Sequence, residues 1–387
     1  MELTGVKVID GDRGKEYPKA SDFSGDGYCL FLSAKNVTKY GFQFNELQFI
    51  DAEKDKKLRK GRVKRSNIVL TTRGSVGHFA YYDASVPYDV MRINSGMVIL
   101  DADESDLEPN FLYALCRSFI VQKQIEAASF GSAQPQLTVG IVKGLKLPIP
   151  TLVEQKKIAQ ILSTWDKAIT VTEKLLVNSQ QQKKALMQQL LTGKKRLLDE
   201  NGVRFSGEWV YLTFDNAFIV ANKKSTQVKS SDYLQSGSIP IIDQGQSRIA
   251  GYCNNLEVYS DVPVIVFGDH TRCVKWIEFV FCPGADGTQV IKTSKILEPK
   301  LGYYLLSNTD IPNLGYSRHM RELKEKDFRL PLDIKEQQKI AAVLSAADAE
   351  ISTLEKKLAC LRDEKKALMQ QLLTGKRRVK VDEAVAE

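Results

Sequence analysis

Two stretches of the chain carry apolar residues at alternating steps of four and three. Residues 154–193 read EQKKIAQILSTWDKAITVTEKLLVNSQQQKKALMQQLLTG, and residues 336–375 read EQQKIAAVLSAADAEISTLEKKLACLRDEKKALMQQLLTG, an offset of 182 residues. The first stripe runs Ile158, Leu162, Trp165, Ile169, Thr172, Leu176, Ser179, Lys183, Leu186, Leu190, and the second Ile340, Leu344, Ala347, Ile351, Leu354, Leu358, Leu361, Lys365, Leu368, Leu372. A 3.5-residue period is the seam of a coiled coil and predicts two helices of about 35 residues, each roughly 50 Å long. Thr172, Ser179 and Lys183 interrupt the first stripe, so that copy is expected to need the other as a partner. Related segments of one chain tend to pack about a pseudo-two-fold axis, which here makes the two helices antiparallel. Two amphipathic helices packed separately on globular cores would give a similar pattern and stand as the alternative. The twelve residues KKALMQQLLTGK recur unchanged at 183–194 and 365–376, a fixed-period match that speaks for internal duplication.

The periodicity outside the helices switches from 3.6 to 2. Residues 28–32, 68–72, 80–82 and 97–100 read as short strands separated by Gly-, Asp- and Asn-rich turns. One helix is predicted from Pro109 through Ala127, with the proline in its first turn. A polar loop at 130–137 (FGSAQPQL) follows, and Pro148 and Pro150 block an earlier start of the first long helix. Residues after 205 repeat this order. VPVIVFGDHTR (262–272) answers SNIVLTTRGS (66–75), Leu297-Glu298-Pro299 answers Leu107-Glu108-Pro109, and the loop within 313–321 answers 130–137, each half closing on a Leu-Pro step. The expected fold class is therefore α+β: two globular α/β domains separated by two long antiparallel helices forming a coiled coil, with a pseudo-two-fold internal repeat. Domain one is placed at 1–150, the first long helix at 151–194, a short polar linker at 195–204, domain two at 205–332, the second long helix at 333–376 and a tail at 377–387.

Length and composition fit this layout. A chain of 387 residues, 43% hydrophobic and 26% charged, has room for two ordinary soluble domains besides the helices. The sequence lacks an apolar run near the ~20 residues of a membrane span, and the first residues, MELTGVKVIDGDRGK, lack a signal peptide's apolar core, so a cytoplasmic protein with no membrane partner is expected. The six cysteines show no paired spacing and are expected as free thiols; His270 and Cys273 have no second pair to make a zinc site, so no metal is expected. A net charge of +8 permits a polyanionic partner. Basic residues concentrate in KDKKLRKGRVKR (54–65) and at the two helix ends, KKR (194–196) and KRRVK (376–380), where they read either as solvated cations suited to a helix C-terminus or as phosphate contacts.

No glycine-rich phosphate loop, nucleophile elbow or Asn/Asp-Pro-Pro-aromatic motif is present, the histidines are scattered, and Asp10 and Asp12 read as surface-turn residues. Two divergent halves also argue against two copies of one active site. The chain is expected to bind rather than catalyse, with no catalytic residues. Arginine can fork onto guanine and Gln or Asn onto adenine in the DNA major groove. The candidates in the first half are Arg73, Ser75, Gln134 and Gln136; in the second they are His270, Arg272, Arg318, His319 and Arg321. Lys56, Lys57, Arg59, Lys60 and Arg62 are candidates for phosphate contact, as are Lys64 and Arg65. A non-catalytic coiled-coil scaffold that binds proteins through its end domains remains the alternative function.

The layout resembles the DNA-specificity subunits of type I restriction–modification systems over essentially the whole chain. The resemblance rests on two unlike modules, each followed by a like helix approached through LPIPTLVEQKKI (147–158) or LPLDIKEQQKI (330–340) and closed by KKALMQQLLTGK. VIDGDRGKEYP (8–18), TTRGSVG (71–77), GSAQPQL (131–137) and GEW (207–209) support it. One residue of difference in length before Glu154 and Glu336 is the evident departure. The resemblance implies that each domain is a target-recognition domain reading one half of a bipartite double-stranded DNA target, and that the helices set the unread spacer. It also implies two methyltransferase subunits, docked on the helices and carrying S-adenosylmethionine, and two motor–nuclease subunits using ATP and Mg. None of those cofactors is expected in this chain.

Overall fold

The computed structural model describes residues 1–129, 136–313, 315 and 317–380. The chain divides into two compact units, one of Met1–Val171 with Leu358–Glu387 and the other of Thr172–Lys357. The two long helices are Leu152–Leu190 and Ile334–Leu372, and each gives one half to each unit. Both are followed by a glycine in the left-handed region, Gly193 at φ +68° and Gly375 at φ +72°, where a side chain would be strained. No helix among the described residues is long and apolar enough to cross a membrane.

In the first unit, the N-terminal half of the first long helix lies against the C-terminal half of the second. Ile158, Ala159 and Leu162 share a buried cluster with Leu372 and Leu373. Farther along, the Lys365 ammonium reaches Asp166 at 2.5 Å. The second unit repeats this pairing with the roles of the helices exchanged. Ile340, Ala341 and Leu344 share a core with Leu190 and Leu191, and Lys183 reaches Asp348 at 2.5 Å. In each unit, residues early in one helix meet residues late in the other, so the pairing is antiparallel. Every residue of the predicted stripe is buried or half-buried, including Thr172 and Ser179, whose hydroxyl donates to Glu350 at 3.2 Å. Each fully buried leucine contributes roughly 1.5–3 kcal/mol relative to exposure, so a stripe of this length far outweighs weak helix propensity at three polar positions.

The polar network at the start of each helix is also duplicated. Gln155, buried, accepts from the Glu108 N–H at 2.8 Å and donates to the Asp106 and Pro150 carbonyls. Gln337 accepts from the Glu298 N–H at 2.7 Å and donates to the Ile296 and Pro331 carbonyls. The Leu-Glu-Pro steps act as helix starts: Glu108 and Glu298 cap Pro109–Cys116 and Pro299–Ser307 by accepting from the Phe111 and Leu301 N–H groups.

The sheets of the two units share a topology. In the first unit a four-stranded antiparallel sheet has the order Lys7–Asp10, Met97–Asp101, Ile68–Thr71, Phe79–Tyr81; in the second the order is Phe218–Val220, Thr288–Thr293, Val264–Gly268, Val274–Ile277. Beside it, Cys29–Leu32 lies antiparallel to Phe49–Ile50 and parallel to Met91–Ile93, matched by Ile239–Ile242 between Gly251–Cys253 and Cys282–Pro283. The second unit adds an antiparallel pair, Trp209–Thr213 with Asp327–Pro331.

Three local expectations change. The single helix predicted from Pro109 is two helices, Pro109–Cys116 and Phe119–Ser129, turned at Arg117-Ser118 by the Ser118 hydroxyl donating to the Leu115 carbonyl. The turn lets Leu115 and Val121 enter one core and leaves Phe119 48% exposed, whereas a continuous helix would stack Phe119 on Leu115. The residues expected as a polar linker fold back instead, with Leu198 bridged to Arg204 and the Asp199 side chain accepting from Asn201 and Val203. The basic helix ends are only partly solvated. Arg196 forks onto buried Glu336 at 2.5 and 2.6 Å, and Arg378 forks onto buried Glu154 at 2.6 and 2.8 Å.

Removing Arg196, whose side chain is 20% exposed, strands a buried carboxylate and should cost about 3 kcal/mol. Arg378 is 70% exposed and solvent-screened, so Arg378→Ala should lower the urea midpoint by less than removal of Arg196 does. The Arg378 guanidinium holds the Glu154 carboxyl below its ordinary range, so its contribution is complete above that range and is lost as pH falls through it. The gap between wild type and Arg378→Ala should therefore narrow in acid, as both proteins come to carry a protonated Glu154.

Candidate nucleic-acid interface

The basic run of the first unit is displayed on a short helix and the turn after it. Asp51 caps Ala52–Lys57 by accepting from the Lys54 N–H at 2.7 Å. Lys56, Lys57, Arg59, Lys60 and Arg62 are all exposed. Their backbone is held from beneath by Arg92. Its Nε meets Asp55 Oδ1 at 2.5 Å, and its terminal nitrogens donate to the Asp55, Leu58 and Lys60 carbonyls at 2.8, 3.1 and 2.9 Å. Arg92 and Asp55 are both buried. Asp12, read from sequence as a surface-turn residue, is buried and accepts from the Gly14 and Arg59 N–H groups at 2.7 Å each. Burial pushes the Asp12 carboxyl up, but these N–H groups and the nearby Arg59 guanidinium outweigh it, and the net displacement is downward. Three members of the run also serve the fold: Lys54 pairs with Asp22 at 3.1 Å, Arg62 reaches buried Asp55 at 3.4 Å, and Arg65 lies over the Tyr82 ring and pairs with Asp89 at 2.9 Å.

Beside the sheet, the loop at the end of Ile68–Thr71 meets the segment leading into Val139–Lys143. The Leu137 N–H donates to the Thr72 carbonyl at 3.0 Å. Arg73 and Gln136, chosen separately from sequence, are side by side. With its amide oxygen turned to the guanidinium, Gln136 accepts from Arg73 Nη2 at 2.9 Å and Nε at 3.2 Å, and both residues are exposed. Ser75 is also exposed, its carbonyl accepting from the Thr71 hydroxyl. Gln134 lies outside the described residues.

The second unit repeats the backbone tie with different side chains. The first residue after Val264–Gly268 is Asp269, and its carbonyl accepts from the His319 N–H at 2.8 Å just before Met320–Lys324. Asp269 thus stands where Thr72 stands, His270 where Arg73 stands, Arg318 where Gln136 stands and His319 where Leu137 stands. The correspondence corrects one candidate. His319 is wholly buried, like Leu137, and its Nδ1 lies 2.8 Å from the Asp269 carbonyl oxygen, so the ring anchors the loop and does not face a groove. Arg272 is also turned to the protein: one guanidinium nitrogen donates to the Ile311 carbonyl at 2.8 Å, from a backbone at φ +60°. His270 is half-buried, with Nδ1 3.3 Å from the Ser317 carbonyl, next to exposed Arg318. Arg321 is exposed and reaches Glu325 at 3.4 Å.

Lys275 was not among the sequence candidates. It is buried and donates to the Ser247 and Asp243 carbonyls at 2.6 and 2.8 Å, fixing the neighbouring loop. Burial draws its ammonium below the usual lysine range, partly opposed by Asp243. The alternation of Val274–Ile277 puts Lys275 on the same inward face as Ile277, a signal the sequence does carry. Among the described residues no group of three or more His, Cys, Asp or Glu is placed to hold a metal ion.

Residues 1–178 match the type I restriction modification DNA specificity domain. The chain is 26% identical over 379 residues to the MjaX specificity subunit, described as a type I restriction enzyme component of Methanocaldococcus jannaschii, covering 89% of this chain and 86% of that one. The MjaVIII specificity subunit of the same organism is 27% identical over 201 residues, covering 50% and 46%. In fold, the chain is similar to the crystal structure of a type I restriction–modification S subunit from M. genitalium, with a TM-score of 0.63 at 15% identity and coverage of 96% and 94%.

Arg92→Met would leave buried Asp55 with the exposed Arg62 at 3.4 Å in place of its buried partner, and would take their donor from the Leu58 and Lys60 carbonyls. It should cost about 3–5 kcal/mol and raise hydrogen exchange first at residues 52–60. Unchanged exchange there would mean that the basic segment is held by something other than Arg92.

Proposed function

We propose that this chain is a DNA-specificity subunit of a type I restriction–modification system and that it reads a bipartite DNA target, one half with each unit. The observation that carries this reading is the shared frame at the sheet end. One backbone tie positions Arg73 with Gln136 in the first unit and His270 with Arg318 in the second. Base edges are distinguished by donor and acceptor pattern, so changing side chains on a constant frame changes the half-site without refolding the domain. Gln136 takes up two guanidinium donors of Arg73 and holds its plane, which leaves the remaining N–H groups to fork onto an acceptor pair such as guanine O6 and N7. The exposed cations of 56–62 contribute sequence-independent phosphate binding.

The long helices set the length of the unread spacer and offer docking faces to two methyltransferase subunits, and two motor–nuclease subunits complete the assembly. S-adenosylmethionine, ATP and Mg belong to those partners and not to this chain. The assembly works in the cytoplasm.

In the assembled complex, Arg73→Ala should relax discrimination at one position of one half-site by about 1–3 kcal/mol and leave the other half-site unchanged. Lys57→Ala should weaken all DNA sequences alike and reduce the salt slope of binding by about one. Loss of preference in both half-sites from Arg73→Ala would refute the division of labour. Adding seven residues to each helix keeps the 3.5-residue seam and lengthens it by about 10 Å, or about three base-pair steps. Selection from random DNA should return the same half-sites with a wider spacer; an unchanged spacer would rule out the helices as its measure.

A further inference from the structure

The turn that presents Arg73 or His270 is braced in both units, by different side chains. Strand pairing fixes the equivalence. Phe79 pairs with Leu70 and Val274 with Phe267, so the residues two places earlier, Gly77 and Arg272, stand at one position of the turn. Their backbones agree. The Gly77 N–H donates to the Thr71 carbonyl at 3.0 Å and the Arg272 N–H to the Gly268 carbonyl at 2.7 Å. Both residues lie in the left-handed region, at φ +86° and φ +60°. Glycine takes that conformation without steric cost; arginine does not.

The second unit therefore holds a strained backbone at this position, and the side chain shows what is gained. One Arg272 guanidinium nitrogen donates to the Ile311 carbonyl at 2.8 Å. Ile311 is buried and follows the helix-opening Pro299 by twelve residues, as buried Val121 follows Pro109. In the first unit the residue after Val121, Gln122, makes the same connection from the other side. Its Nε2 donates to the Gly77 carbonyl and to the Cys116 carbonyl, each at 3.1 Å. One link thus joins the left-handed residue of the turn to the segment after the Leu-Glu-Pro helix in both units. The donor belongs to the helix side in one unit and to the turn in the other. What recurs is the connection and not the residue that makes it.

The tie from Thr72 to Leu137, or from Asp269 to His319, holds the entering end of each turn, and the brace holds the leaving end. Between the two anchors stand Arg73 in the first unit and His270 in the second. A short loop pinned at both ends presents its side chain in one direction, whereas a loop pinned at one end samples several. We infer that Gln122 and Arg272 are positioning residues for sequence readout, acting through Arg73 and His270 on the half-site of their own unit. This rests on the reading of DNA proposed above, and it gives Arg272 a part in specificity without contact with DNA.

The test is selection from random DNA by the assembled complex, comparing wild type with Gln122→Leu, Arg272→Gly, Arg73→Ala and His270→Ala. Gln122→Leu should lower discrimination about tenfold at the position that Arg73→Ala relaxes and leave the other half-site unchanged. Arg272→Gly should do the same at the position that His270→Ala relaxes. The unaffected half-site reports that each variant still folds. Arg272→Gly exchanges relief of strain for a lost hydrogen bond, so its urea midpoint should stay near that of wild type. Added to His270→Ala, Arg272→Gly should cost no further discrimination, and neither brace variant should change the salt slope of binding. An additive loss in the double variant, or a salt slope reduced by about one, would overturn the inference, because Arg272 would then touch DNA itself. Unchanged discrimination by both brace variants, with Arg73→Ala and His270→Ala effective, would overturn the brace alone. No effect of Arg73→Ala or His270→Ala would overturn the reading of DNA and the brace with it.

Discussion

Neither compact unit closes its core with contiguous sequence. The sheet-and-helix module of the first unit buries Leu107, Phe111 and Leu115 against Ile158 and Leu162, and this same cluster is finished by Leu372 and Leu373, more than 200 residues later in the chain. The second unit is finished by Leu190 and Leu191 in the same way. Antiparallel pairing makes this possible, because it brings the C-terminal half of one helix onto the module that launches the other. The polar network follows from that packing. Once Gln155 and Gln337 are enclosed, their amides must satisfy the backbone groups beside them, and the enclosed Glu154 and Glu336 must find a cation, supplied by Arg378 and Arg196.

This constraint explains which parts of the duplicated sequence stayed alike. KKALMQQLLTGK supplies Lys183 or Lys365 to an aspartate, two apolar pairs to a core and a glycine to a left-handed turn. Every one of those roles is filled twice by the same chemistry. The sheet-end loops carry no such obligation. Thr72 and Asp269 are joined to Leu137 and His319 through backbone atoms, so the side chains next to the tie can differ without loss of support. A frame fixed by main-chain hydrogen bonds and a buried anchor leaves free choice of side chain at its surface.

The first unit holds its exposed cations differently from Arg73 and Gln136. The 52–62 segment is too short and too charged to be stable alone. Its geometry comes from Arg92, which makes four polar contacts from a buried position, and from Asp12, which caps the turn at Arg59. The buried ion pair costs desolvation, and what it secures is placement of the exposed lysines and arginines above it.

The amino-acid sequence alone determined the duplication, the two long helices, the seam residues on their covered faces, the matching succession of landmarks in the two halves and the Leu-Glu-Pro helix starts, because each is written in local periodicity or in a repeat; the order of strands within the sheets came from the tertiary structure. It could not separate Pro109–Cys116 from Phe119–Ser129, since a turn forced by two faces needing one core leaves the apolar count unchanged. Nor could it tell His319 from a reading residue or assign Arg92, Arg196 and Arg378 as clamps. Those roles depend on which carboxylate or carbonyl a distant segment brings within 3 Å, as with Arg378 on Glu154. Local pattern fixes which face of an element is buried; only tertiary packing decides which polar group is enclosed with it and must be answered.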